Sequence, residues 1–306
     1  MRFNRLDLNL LVILDKLLAE ESVSKVAQQL NMTQSAVSNA LRRLREYFED
    51  ELFVQVGRRM VPTPFAEMLG AQVRDTLVEL ERISASRASF DPAGEERTFT
   101  LITSDYAFLV FVAEVVRRLR ERAPGIRIRT VLTTENAAEH LRQGVADFLI
   151  VPEKRTVEEY PREPLFKDDF VCVCWQDNPL IGDSISLEQY LNLEHVGTSM
   201  GPTRVPHIDD ELLAARGFRR NITIYAPNFT LVADAVMGTD RIATMHRRSA
   251  NIWARRLPLR LLELPIQLGG FTQMLQWHKH RSSDPGMAWM RTFMRDVAAD
   301  IGSPGR

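Results

Sequence analysis

Residues 22–48 read SVSKVAQQLNMTQSAVSNALRRLREYF, and the spacing of their apolar positions decides how the amino-terminal part folds. Val23, Val26, Ala27 and Leu30 recur at i, i+3, i+4 and i+7, which gives a short helix one stripe to bury. Asn31 and Met32 break that period. Thr33 then offers a hydroxyl to an orphan amide, and a second helix is predicted over about 34–48. Two helices joined this tightly make a helix-turn-helix. In the second helix Val37, Ala40, Leu41, Leu44 and Phe48 form the apolar stripe, while Ser35, Ser38, Asn39, Arg42 and Arg45 fall on the opposite side. Thr33, Gln34, Ser35, Ser38 and Asn39 stand at the end that presents side chains to base edges in a major groove, and Arg42, Arg43 and Arg45 lie farther along, where phosphates run. Taken alone, the same pattern also describes a solvated amphipathic helix, so its surroundings must decide.

Upstream, a helix over about 7–20 carries Leu10, Leu11, Leu14, Leu17 and Leu18 as a stripe that closes a small three-helix core. Downstream, the acids Glu49, Asp50 and Glu51 repel phosphate, so a nucleic-acid face turns away there. LFVQV and MVPT read as a hairpin around Gly57, with Arg58 and Arg59 as cations at its tip. This wing either reaches a minor groove or backbone, or is an ordinary solvated turn. Thr63 followed by Pro64 is a helix start, and the helix is predicted to run to about Ala88 with Phe65, Leu69, Val73, Leu77, Leu80 and Ile83 on one side. At 1.5 Å per residue that is roughly 37 Å of helix. So narrow a stripe calls for a partner helix, or for packing on its own domain.

Residues 89–96, with Pro92 and Gly94, read as a hinge. From 97 onward strand and helix patterns alternate: strands at 97–103, 126–132, 146–151, 169–175, 222–225, 241–244 and 271–277, and helices at 106–122, 137–143, 230–237 and 285–299. Such alternation predicts an α/β architecture of parallel sheets covered by helices. Ligands of open α/β sheets settle at strand carboxyl ends beside helix starts. Three segments fit that rule: 103–106, 197–203 leading to a helix near His207, and 228–230. Hydroxyls and amides there suit an anion, while Tyr106, Phe108, Phe111, Phe229, Met200 and Met274 offer an apolar wall for an aromatic ring. Ser104 and Thr230 are also plain helix caps, Phe108 and Phe111 also core, and His207 also surface; Asp105 argues against an anion unless it points away.

The run LDLNLLVILDKLLAEESVSKVAQQLNMTQSAVSNALRRLREYFEDELFVQVGRRMVPTPFAEML resembles, over its whole length, the amino-terminal domain of LysR-type transcriptional regulators, with TQSAVS, LF and PTP in register. MRFNRLDLNLLV and SFDP followed by RTFTL resemble the branch of nodulation activators and of activators of aromatic and chlorinated-phenol catabolism. The resemblance implies a winged helix-turn-helix DNA-binding domain (6–63), a linker helix that pairs two subunits (64–88), a hinge (89–96) and a two-lobed α/β effector domain resembling periplasmic binding proteins (97–306). Lobe I is expected at 97–165 with 270–306, and lobe II at 166–269. It further implies promoter DNA, RNA polymerase and a small aromatic, phenolic effector as partners, a homodimer and homotetramer, no cofactor, and an inducer cleft lined by Ser104, Met200, Thr203, His207, Phe229 and Thr230, with Asp169 a weaker candidate.

Composition narrows the alternatives. With 306 residues, 45% apolar and 26% charged, the chain fits two or three globular units, and its net charge of −1 excludes a sequence-blind basic coat on nucleic acid. The start lacks a signal-peptide core, and the apolar run from Phe108 is broken by Glu114, so a cytoplasmic protein without a membrane span is expected. Cys172 and Cys174, two apart in a strand, are expected to be buried thiols without a disulfide. An α/β enzyme carrying a helix-turn-helix is the rival class. Against it, the chain has no Gly-x-Ser-x-Gly elbow, phosphate-cradling glycine loop or His-Glu-x-x-His, and His278 with His280 lacks a third ligand.

Overall fold

The computed structural model describes residues 2–3, 6–56, 59–84, 89–133, 137–200 and 205–302. The chain divides into two compact units, Met1–Ser86 and Arg87–Arg306.

In the first unit, helix α1 (Asn9–Glu20) buries Leu10, Leu11, Ile13, Leu14 and Leu17. It ends because Glu21 turns into the left-handed region at φ 49°. Ser22 caps α2 (Val23–Gln29) by accepting from Lys25 N at 3.4 Å, and Asn31, at φ 52°, makes the joint. Asparagine tolerates that conformation better than most residues. Thr33 then caps α3 (Gln34–Phe48), its hydroxyl accepting from Ala36 N at 3.2 Å. Strands β1 (Phe53–Val56) and β2 (Arg59–Pro62) pair antiparallel as the wing, and Met60 N donates to Glu21 O, which pins the wing to the end of α1.

Helix α4 (Pro64–Ser84) starts where Asp50 accepts from both Leu52 N and the Thr63 hydroxyl, at 2.7 and 2.8 Å. Its stripe is used within the unit: Ala66 and Val73 are buried, and Phe65, Leu69 and Leu77 pack on the same core as α1. Gly70 lets the two helices close up, since a Cβ there would lie 2.8 Å from Leu18 Cδ1. The stripe expected to await a partner subunit is therefore covered in cis as far as Leu77. A different face carries Met68, 59% exposed, with Glu67, Ala71 and Gln72. The side chain of Ile83 and residues 85–88 lie outside the described residues.

The second unit holds two sheets. The first contains β3 (Arg97–Thr103), β4 (Ile126–Leu132), β5 (Phe148–Pro152), β6 (Arg162–Asp168) and a late strand, Phe271–Trp277, in the order β4-β3-β5-late-β6. The second contains β7 (Phe170–Trp175), β8 (Glu194–Met200), β9 (Asn221–Ala226), β10 (Ile242–His246) and β11 (Leu259–Leu262); the late strand is β12. Both sheets are mixed, which corrects the all-parallel expectation. β12 runs antiparallel to β5 and β6, and β7 antiparallel to β10 and β11. These are strands beside the two crossings between sheets, at 168–170 and 262–271. Because β6 belongs to the first sheet, that sheet extends to Asp168 rather than to 165.

Helix α5 (105–122) covers the first sheet, with a π-helical turn at Phe108–Val112, together with α11 (Pro285–Gly302). Between them in sequence come α6 (Ala137–Arg142), α7 (Leu187–Asn192), α8 (Ile208–Ala214), α9 (Thr230–Val236) and α10 (Arg247–Ala254). The crossings touch closely: a Cβ on Gly270 would sit 2.7 Å from Asp168 O. Arg247 adds an ionic tie, its Nε 2.6 Å from Asp169 Oδ1 and its Nη atoms 2.7 and 2.8 Å from Glu263. Cys172 and Cys174 are free and buried, and burial pushes both thiols up.

Candidate functional site

On α3, Val37, Ala40, Leu41 and Leu44 are buried, and Gln34, Ser35, Ser38, Asn39 and Arg42 are exposed on the opposite face. Thr33 serves as cap and also lies 3.0 Å from the Ser35 hydroxyl. Arg42 donates to Asn39 Oδ1 at 2.7 Å and to Glu46 at 2.9 Å, both in solvent, so it is held in place without being buried. Arg43 lies 3.6 Å from Asp7. Arg45 departs from expectation. Its Nε donates to Glu51 O at 2.7 Å and its Nη2 to Phe53 O at 2.8 Å, so it anchors the wing and does not stand ready for phosphate. Arg59 is exposed on β2, and Arg58 lies outside the described residues.

In the second unit, a cavity of about 290 Å³ opens between the two sheets. Its floor and ceiling are rings: Tyr106 and Phe271 from the first sheet's side, His207, Phe229 and His246 from the second's. Tyr106 stacks on His246 at 3.9 Å, and Phe229 meets His207 edge-on at 4.4 Å. Ser104, capping α5 through Ala107 N, and Thr133, Arg155 and Gln273 supply polar atoms. The Tyr106 phenol donates to Asp168 Oδ2 at 2.6 Å; burial, then that carboxylate, push its pKa well above the ordinary value, so it stays protonated. Burial, then His207, push the His246 imidazole well below its usual range, so it is neutral.

Behind the rings lies a buried charge cluster. Arg220, with 1% of its side chain exposed, is 2.9 Å from Asp209 Oδ2 and also pairs with Asp210. Burial raises the Asp209 carboxyl, but Arg220 and then His207 hold it far below the usual carboxylate range. An ionised carboxylate only accepts, so His207 Nδ1, 2.6 Å from Asp209 Oδ1, carries the proton and donates. That fixes the ring's orientation toward the cavity.

Two family profiles match this chain: the bacterial regulatory helix-turn-helix protein, lysR family, over residues 8–67, and the LysR substrate binding domain over residues 92–299. The chain belongs to the LysR family of DNA-binding transcriptional regulators. It is similar to nodulation protein D 1 of Rhizobium leguminosarum bv. phaseoli, at 39% identity over 304 residues, covering 99% of this chain and 97% of that one. Among solved structures it is similar to a probable transcriptional regulator of Pseudomonas aeruginosa, at 31% identity and a TM-score of 0.66, covering 96% of this chain and 97% of that one. A full-length OxyR variant from the same organism shares the fold at a TM-score of 0.70 and 14% identity, covering 98% and 99%. Among the described residues no helix is long and apolar enough to cross a membrane.

For a LysR-family chain the cavity gathers some of the residues read from sequence and not others. Ser104, Tyr106, His207 and Phe229 line it. Phe111 does not: it is fully buried and packs on Phe166 at 5.7 Å, as core. Asp169 does not either, because its carboxylate is paired with Arg247. Thr230 lies beside a shallower depression with Phe108, Leu109 and Leu132, and its amide donates to Asp105 Oδ2 at 2.7 Å. That bond also turns Asp105 out of the main cavity. Met274 is buried on the other face of β12. The Met200 side chain and Thr203 lie outside the described residues. Sequence reasoning missed His246, Phe271, Gln273, Thr133 and Arg155. The alternation of FTQMLQW was the usable signal: Phe271 and Gln273 share one face.

Proposed function

We propose that this LysR-family regulator is an activator that binds promoter DNA as a dimer or tetramer and responds to a small aromatic effector held between the two lobes. The observation that carries the effector is the cavity walled by Tyr106, His207, Phe229, His246 and Phe271. A dry apolar cavity of roughly 150 Å³ takes benzene, so about 290 Å³ accommodates a substituted ring. Similarity to nodulation protein D 1 supports the activator reading. In this reading Thr33, Gln34, Ser35, Ser38 and Asn39 face bases, Arg42, Arg43, Arg58 and Arg59 face phosphates, and pairing through α4 uses the face around Met68. The bound effector changes how the paired heads lie on DNA, which engages RNA polymerase, and no catalytic step is involved.

A thermal-shift screen of the full chain with phenols, benzoates, salicylates and flavonoids tests the cavity, since a ligand of the folded form raises the melting point with concentration over affinity. Ring ligands are expected to stabilise the wild type and not Ala138→Trp, whose indole fills the cavity from its α6 wall. Stabilisation that survives Ala138→Trp, or none in the wild type, overturns the assignment.

A further inference from the structure

We infer that Gln273 determines ligand specificity in this cavity, and that the ligand it selects carries an un-ionised ring hydroxyl rather than a carboxylate. The inference rests on the effector reading above and deepens it. Gln273 is 1% exposed, and neither its amide nitrogen nor its amide oxygen has a hydrogen-bond partner. It lines the cavity next to Phe271 along β12. The Thr133 hydroxyl, on the same sheet's side of the cavity but three strands away, is also without a partner. Buried polar groups are nearly always satisfied, so the two unmet atoms of the Gln273 amide mark the place where a ligand's polar group docks.

The chemistry of the amide then selects the group. Nε2 only donates and Oε1 only accepts. A neutral hydroxyl answers both, giving its proton to Oε1 and accepting from Nε2. A carboxylate or phenolate accepts only, and would set its charge against Oε1. The charged side chain among the described lining residues is already paired. Arg155, the guanidinium among the described lining residues, is ion-paired with Glu211. His246 is neutral, and the proton on His207 Nδ1 is committed to Asp209. Phe271, one alternation step away on the same face, supplies the apolar surface for the ring that bears the hydroxyl.

The test is calorimetric titration of the full chain with a matched set: 4-hydroxyacetophenone, its methyl ether 4-methoxyacetophenone, and 4-acetylbenzoate. Losing one hydrogen bond and stranding a buried acceptor weakens binding about 10- to 100-fold, so the wild type is expected to prefer the phenol over both others by that factor. Gln273→Leu, close in size and apolar, should keep the melting point, bind the phenol 10- to 100-fold more weakly and bind phenol and ether alike. Gln273→Glu keeps the shape and an acceptor for the ring hydroxyl, and should retain the preference for the phenol over the ether. Retention of the preference in Gln273→Leu, or a wild type that favours the benzoate, overturns the inference while leaving the cavity assignment standing. Equal tightening of all three compounds in Gln273→Leu identifies water as the natural partner of the amide and overturns it as well. If none of the three binds, the effector assignment itself fails.

Discussion

Arg42 and Arg45 lie one turn apart on α3, yet replacing each with alanine should perturb DNA binding in different ways. Arg42 has 66% of its side chain exposed, and its pair with Glu46, itself 61% exposed, is a solvent-screened contact that releases easily. A phosphate contact made by Arg42 is expected to contribute a slope of about 0.9 to the fall of log K with log salt concentration, and a two-headed complex makes it twice. Extrapolating that slope from molar salt, two lost contacts weaken binding ~200-fold at ~50 mM and ~20-fold at ~200 mM. Specific and random DNA should suffer alike. Arg45, by contrast, spends its donors on Glu51 O and Phe53 O. Arg45→Ala should leave the salt slope unchanged and instead lower the stability of the first unit by about 1–2 kcal/mol, after discounting charge-assisted bonds for partial exposure. Fluorescence anisotropy with a labelled promoter fragment across a salt series, beside thermal melts, separates the two. If Arg45→Ala flattens the salt dependence as much as Arg42→Ala does, Arg45 leaves the wing to grip phosphate and the assignment made from its carbonyl contacts is wrong.

Three further outcomes are expected. Asp209→Ala removes one of the two acids beside the buried Arg220 and the acceptor of His207, and should cost the effector unit about 3–5 kcal/mol in urea unfolding; a loss under ~1 kcal/mol would mean the cluster is solvated in solution. Gly270→Ala forces a Cβ to 2.7 Å from a backbone carbonyl that has little room to move, and should lower stability by about 1–3 kcal/mol, whereas Gly182→Ala, with nothing near its Cβ, should be nearly silent in the same melt. Burial, with Arg220 next, holds His195 down to about 4 from an ordinary 6.5. The stability this histidine contributes is therefore complete above pH ~6.5 and lost as pH falls through the folded value, roughly 2 kcal/mol of it by pH ~5. His246 acts in the same direction, so urea midpoints measured at both pH values should fall on acidification; an unchanged midpoint contradicts their burial.

Helix α3 was legible because its evidence is local. A cap, a 3.6-residue stripe and a polar face all lie within residues 22–48, and Thr33 caps a helix from Gln34 to Phe48 in the folded chain. Arg45 was misread for the complementary reason: periodicity placed it outward, but its partners Glu51 and Phe53 come from a segment that folds back on the helix. In the second unit, strands with continuous apolar runs such as FVCVCW stood out, while β6, REPLFKD, did not. It is an edge strand, where Pro164 is tolerated and Arg162 and Lys167 stand exposed. The cavity was half legible. Helix starts at Ser104 and His207 point to it by rule, but His246, Thr133 and Gln273 reach it through sheet order and crossing strands that no local pattern encodes.

The strand crossings also bear on how an occupied cavity acts at a distance. Walls from both sheets line the cavity, so for the proposed effector only contacts that improve as the sheets approach would shift the balance between arrangements. Driving a two-state equilibrium from 1:99 to 99:1 takes about 5.5 kcal/mol of differential affinity. A ring burying ~150 Å² contributes about 4 kcal/mol at ~25 cal/mol per Å², and part of that is gained on one wall alone, whatever the spacing. Apolar burial therefore falls short of a complete switch by itself. A hydroxyl that bonds Gln273 on the first sheet's side while its ring packs on Phe229 and His246 from the second ties the position of one wall to the other. Tyr106, bonded to Asp168 at the crossing and stacked on His246, is a wall residue in contact with both the connecting strand and the opposite wall.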